Sequence, residues 1–113
     1  MQTKTNRHEQ SLMTYYLPNN GTLRQLSGFY ALFADPSRVK ILTALSIAEL
    51  CVSDIARFCG MQQSTVSHQL QQLREHNLVT TRRDGKIIYY SICTPFVART
   101  LEVGTDYLHA KRS

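Results

Sequence analysis

Residues 51–72, CVSDIARFCGMQQSTVSHQLQQ, carry the pattern that orders the rest of the chain. They read as a short helix, a tight turn at Gly60, and a second helix with a polar outer face. In the second helix Val66, Leu70 and Leu73 recur at i, i+4 and i+7, one apolar stripe that has to face a core. At about 100° per residue, Ser64, His68, Gln71 and Glu75 point the opposite way, with Thr65, Ser67 and Gln72 on the flanks. A merely solvated face is built from long charged residues. This one is dominated by Ser, Thr, Gln and His, side chains that both donate and accept hydrogen bonds. Base edges in a major groove present the matching mixture of donors and acceptors. The stretch therefore reads as a helix-turn-helix whose second helix is a recognition helix.

Upstream, Ser53 is the expected cap of the first of these helices, in which Ile55, Ala56 and Phe58 turn inward, and Gly60 supplies the left-handed residue that ends it. Asp35-Pro36 reads as an N-cap followed by proline at the first helical position, opening a helix with Val39, Ile41, Leu42 and Leu45 that fades near Ala48. Before it, Thr22 can cap a helix in which Leu23, Leu26, Tyr30 and Phe33 share a face. Pro18-Asn19-Asn20-Gly21 is a break, and residues 1–21 read as a flexible arm.

Downstream, the recognition helix runs from near Gln62 to about His76, with Asn77 stopping it. Asp84-Gly85 between the β-prone runs Thr80–Arg83 and Lys86–Ile92 predicts a two-residue hairpin with a type I′ turn, with Ile88, Tyr90 and Ile92 alternating on one face of its second strand. Arg82, Arg83 and Lys86 cluster at its tip, so the hairpin reads as a wing that grips phosphate. The last helix, about Pro95 to His109, has two adjacent stripes: Phe96, Thr100, Val103, Tyr107 and Val97, Leu101, Gly104, Leu108. That face is broader than a lone surface helix needs, and Gly104 costs about 1 kcal/mol in a helix interior unless another helix approaches closely. Leu23, Leu26, Tyr30, Val97, Leu101, Gly104 and Leu108 are read as a homodimer interface, with packing inside one protomer as the alternative.

The fold class is thus mainly α with a small β-hairpin: a winged helix-turn-helix dimerised through N- and C-terminal helices. The expected divisions are an arm over 1–21 and a domain over 22–110, the latter with the helix-turn-helix at 53–76, the wing at 79–92 and the dimerisation helix at 94–110.

A chain of 113 residues with 42% apolar content has room for one core. No apolar run approaches the ~18 residues of a membrane span, and the N-terminus lacks a continuous apolar leader, so a cytoplasmic protein with no membrane partner is expected. Thirteen Lys and Arg against eight Asp and Glu give +5, which suits a polyanion partner. Cys51, Cys59 and Cys93 form no CxxC pair; the first two sit roughly 12 Å apart along one predicted helix, beyond the ~7 Å a disulfide spans. No Gly-rich phosphate loop or nucleophilic Cys–His spacing suggests an enzyme. The competing class is a protein-interaction module on a vestigial helix-turn-helix, against which the basic wing tip argues.

ADPSRVKILTAL (34–45), ELCVSDIA (49–56), QQSTVSHQLQQLREHNLV (62–79) and RRDGKIIYYSI (82–92) together resemble successive signatures of the ArsR/SmtB family of winged helix-turn-helix repressors, over roughly residues 30–92. The resemblance implies a homodimer that binds an inverted repeat in promoter DNA and is released by an inducer. Two-fold symmetry would place the recognition helices about 34–36 Å apart. Gln62 departs from the Ser or Thr usual at this N-cap.

For double-stranded DNA the expected contacts are Gln63, Ser64, Ser67 and His68 in the groove and Thr65 with the helix N-terminus on phosphate. Arg82, Arg83 and Lys86 should meet the backbone, and Arg74 either reaches phosphate or pairs with a carboxylate. Glu75 marks where the helix leaves the groove.

No cofactor is assigned, and a metal ion stays one candidate inducer. Soft-metal sensors of the family carry two thiolates in ELCVCD, at the positions of Cys51 and Ser53, and serine is a poor substitute. Cys51 would need partners such as His8 of another protomer. The family's second metal site falls here on Thr94, Phe96, Tyr107 and Ala110, none a good ligand, while Asp106 and His109 form at most half a site. Cys59 and Cys93 are candidates for a thiol switch, with buried structural thiols as the alternative.

Overall fold

The computed structural model describes residues 4–112. Helices α1 (Arg7–Tyr16), α2 (Asn20–Ala31) and α3 (Pro36–Ile47) precede a short strand β1 (Leu50–Cys51). Then come α4 (Val52–Cys59), α5 (Gln63–Glu75), the hairpin strands β2 (Val79–Asp84) and β3 (Ile87–Ile92), and α6 (Pro95–Arg112). The chain forms two compact units, one ending at Tyr30 and one beginning at Ala31, rather than dividing at residue 22.

In the first unit, the stretch read as a flexible arm holds α1. Its signal was present: Asn6 Oδ1 accepts from the Glu9 amide at 2.7 Å and Glu9 Oε1 accepts from the Asn6 amide at 3.2 Å, a reciprocal capping box. The cap of α2 is Asn19, whose Oδ1 accepts from the Thr22 amide at 2.9 Å, so Thr22 lies inside the helix it was expected to open. Leu23, Leu26 and Tyr30 are all exposed.

In the second unit α3, α4, α5 and the start of α6 enclose one core. Ile41, Leu42, Ile55, Val66, Leu70, Leu73 and Val97 are fully buried. Each such side chain contributes roughly 1.5–3 kcal/mol. Asp35 caps α3 as expected, accepting from the Arg38 amide at 3.0 Å, with Pro36 at the first position. The cap of α4 is Cys51 rather than Ser53, without a side-chain cap bond. Phe58 is 63% exposed, against the expectation that it turns inward. The buried arc of α4 is Ile55, Ala56 and Cys59, and Phe58 falls just outside it, where the Arg57 guanidinium covers its ring at 4.6 Å. Gly60 ends α4 at φ 65, ψ 42, and Asn77 ends the α5 region at φ 59.

The sheet is antiparallel in the order β1-β3-β2. Asp84 pairs with Ile87, so the central turn residues are Gly85-Lys86, one position beyond the predicted Asp84-Gly85. Gly85 has φ 62 and Lys86 has no positive φ, the pattern of a type II′ turn instead of type I′, in which only the first central residue must be left-handed. β1 was absent from the sequence reading; it pairs Leu50 with Tyr90 and Cys51 with Tyr89 and ties the α3–α4 connection to the hairpin.

Among the described residues no helix is long and apolar enough to cross a membrane.

Candidate nucleic-acid interface

The core fixes the orientation of α5. Val66, Leu70 and Leu73 have no solvent exposure, so Ser64 and His68 are displayed outward with Thr65 and Ser67 on the flanks, while Gln63 shares the face of Leu70 but opens the helix; each of these five is exposed. Gln62 makes no side-chain cap bond, which leaves the first amides of α5 available to an outside acceptor. Arg74, in the last turn, is exposed and forms no ion pair among the described residues.

An open groove of about 470 Å³ runs beside this face, lined by Gln63 and Ser67 of α5, Lys86, Ile88 and Tyr90 of the hairpin, and Cys51 at the start of α4. The recognition face and the wing therefore border one channel. The three basic wing residues are not equivalent in it. Arg83 pairs across from Ile88, and neither Arg83 nor Lys86 has an ion-pair partner among the described residues. Arg82 is engaged: its Nη2 and Nε donate to Glu49 Oε1 at 2.7 and 3.1 Å, and its guanidinium lies 4.7 Å from the centroid of the Tyr89 ring. The hydrogen bond from Arg82 holds the Glu49 carboxyl below the usual carboxylate range, and the bond to Glu49 drives Arg82 further up. The tip cluster expected from sequence is thus divided into two free cations and one held at the strand.

Two residues of this region escaped the sequence reading: Glu49, which holds Arg82, and Arg38. Arg38, half-buried in α3, donates to the Leu32 and Ala31 carbonyls at 3.3 and 3.2 Å, and its Nη1 reaches Gln69 Oε1 and Gln72 Oε1 of α5, both at 3.4 Å. A long-range hydrogen-bond hub has no periodicity to betray it.

The expected dimer stripe on α6 splits. Val97 is fully buried in the unit's own core and Leu101 is half-buried, because the first turns of α6 pack on α3. Val97 therefore cannot serve as an external contact. The exposed apolar residues are Phe96, Val103, Tyr107 and Leu108, and a Cβ on Gly104 would meet nothing within 4 Å.

The cysteines are all free. Cys51 Sγ lies 3.2 Å from Ser53 Oγ and donates to Asp54 Oδ2 at 3.4 Å, while Oδ1 of that carboxylate holds Arg57 at 3.0 Å. One thiol, one hydroxyl and one carboxylate already paired do not fit a soft-metal centre. Among the described residues no three His, Cys, Asp or Glu side chains converge as ligands, and Asp106 and His109 join no such group. Cys59 is buried and its thiol is pushed up by desolvation, opposed by Lys40. A buried thiol held protonated is a poor partner for exchange, which counts against the Cys59–Cys93 switch. Cys93 is exposed and donates to the Asn77 carbonyl at 3.2 Å.

Residues 35–81 match the family model described as bacterial regulatory protein, arsR family. The chain is 40% identical over 85 residues to a transcriptional repressor SmtB homolog of Synechocystis, covering 75% of this chain and 64% of that protein, just under two thirds of its length. It is 33% identical over 105 residues to the cadmium resistance transcriptional regulatory protein CadC of Listeria innocua, covering 92% and 83%. Among solved structures, the homodimeric winged helix-turn-helix DNA-binding domain of a possible ArsR-family transcriptional regulator from Mycobacterium bovis superposes with a TM-score of 0.70 at 28% identity, covering 96% of this chain and 91% of that one.

Proposed function

The chain belongs to the arsR family of bacterial regulatory proteins, and from that premise we propose that it is a cytoplasmic, homodimeric transcriptional repressor that binds an inverted repeat in promoter DNA. The observation that carries the reading is the exposed side of α5, where Gln63, Ser64, Ser67 and His68 stand beside an open groove that Lys86 also lines. These side chains suit base edges. Thr65 and the uncapped amides at the start of α5 suit a phosphate, as do Arg83, Lys86 and Arg74. Arg82 is neutralised by Glu49, so its full charge reaches DNA only when that ion pair opens.

We read the exposed Leu23, Leu26 and Tyr30 of α2, and Leu108 with Val103 and Tyr107 of α6, as the faces that a second protomer covers. Gly104, open in the single chain, suits close approach of a partner helix there. The reading is that of a regulator and not of an enzyme. A metal-ion inducer needs donors beyond Cys51 and Asp54, and no step of this reading runs through a metal.

The test is fluorescence anisotropy of the reduced full chain on the duplex upstream of its own gene, across salt concentrations, with chelator and then with zinc. The expected result is saturation at two protomers per site with binding that weakens steeply as salt rises. Release by zinc would identify a metal site assembled between protomers. Binding no tighter than to an unrelated duplex would move the reading to an interaction module.

A further inference from the structure

Arg38 is a guanidinium, with hydrogen-bond donors only. Two of its nitrogens are taken by the Leu32 and Ala31 carbonyls, which aims Nη1 at the two glutamines of α5. Whatever faces that nitrogen has to accept, so both glutamines turn their oxygens toward it. For Gln69 the other end agrees, since its Nε2 donates to Asp35 Oδ2 at 3.5 Å, an acceptor-only carboxylate that also caps α3. For Gln72 the consequence passes outward. With Oε1 held by Arg38, its amide nitrogen faces His68 Nε2 at 3.4 Å. An amide nitrogen can only donate, so that ring nitrogen has to carry the lone pair.

We propose that Arg38, acting through Gln72, fixes His68 with its proton on Nδ1, so that the ring offers DNA a hydrogen-bond donor at a defined atom. Arg38 and Gln72 are positioning residues and His68 is the group that reads. A donor there matches guanine N7 or O6, adenine N7 and thymine O4, and is rejected by the exocyclic amines of cytosine and adenine. The consequence for base choice rests on the groove-facing role of α5 given above; the tautomer itself does not.

The experiment uses the full chain labelled with 15N, free of DNA, at a pH where imidazoles are neutral. Long-range proton–nitrogen correlations of the rings are assigned with His68→Gln. In the wild type His68 should carry its proton on Nδ1. In Gln72→Glu the new carboxylate only accepts, and the ring should invert to the Nε2–H form. A wild-type ring protonated on Nε2, or a ring unmoved by Gln72→Glu, would overturn the assignment. Neither result requires loss of folding, because Gln72 lies outside the buried stripe of α5. The spectrum of the complex with the upstream duplex is the second readout. Retention of the Nδ1 proton, now protected from exchange, supports the donor role, and a switch to Nε2–H refutes it. If no duplex binds, the reading of α5 fails while the free-protein spectrum still decides the tautomer.

Discussion

The recognition helix and the wing border the same groove but are held in different ways. α5 has three residues with no solvent exposure on its inner side, so its outer side is dictated by the core. In the hairpin only Val79 is buried; Tyr89 to Ile92 of β3 are half-buried beside α3 and α4, and the tip beyond them is ordered by backbone pairing between β2 and β3. In α5, reading the apolar stripe is enough to know which residues face outward. In the wing, a cation's sequence position does not say whether it is free, because an ion pair with a residue 33 positions away decides it.

The largest effect that separates the two regions is on folding. Leu70→Ala in α5 should cost about 2–5 kcal/mol in urea unfolding, by transfer and cavity terms together. Ile88→Ala in β3, at a residue 39% exposed, should cost under about 1 kcal/mol. Equal losses at both sites would mean that the wing is integral to the core. Next, Arg83→Ala combined with Lys86→Ala should leave folding intact and make the slope of log affinity against log salt shallower by about 4, because the two wings of a dimer leave four phosphates without their cations.

Much of the fold was open to reading because it rests on local rules. Asp35-Pro36, Gly60, Asn77 and the Val66-Leu70-Leu73 stripe each impose a short-range requirement that one residue type meets. Where the reading missed, tertiary contacts or a competing local rule decided. Phe58 lies one helical step from the buried arc of α4, and Val97 is taken into the core by α3 rather than left for a partner. The turn moved to Gly85-Lys86 because strand pairing set the register. α1 was an oversight, since Asn6-x-x-Glu9 is a capping signal visible in the sequence. Within the interface the exposure of Ser64, Thr65, Ser67 and His68 was legible from periodicity, whereas Gln63 shares the face of Leu70 and is exposed because it opens the helix. The roles of Arg38 and Glu49 were not, because each acts through a partner far along the chain.

A smaller contrast sits within α5 itself. Ser67→Ala and His68→Ala should each cost about 2 kcal/mol on the upstream duplex, the scale of one hydrogen bond in each of the two half-sites, and almost nothing on unrelated DNA. The smallest effect concerns the held cation. Glu49→Gln should release Arg82 in both protomers and steepen the slope of log affinity against log salt by about 2. The wild-type pair follows pH in the same sense. Glu49 is held below its unfolded range, so its contribution is present above that range and is lost as pH falls through the lowered value. Chemical shifts of the Arg82 side chain on acidification check this, and an Arg82 signal indifferent both to acid and to Glu49→Gln would rule out the ion pair.

The most direct test of the division between the two regions is a paired anisotropy titration on the upstream duplex and on a scrambled duplex of equal length. Arg83→Ala with Lys86→Ala should weaken binding to both duplexes by the same factor, whereas His68→Ala should weaken binding to the upstream duplex alone and lower the ratio between them. Equal weakening on both duplexes by His68→Ala would contradict the division, since α5 would then be gripping the backbone and not reading bases.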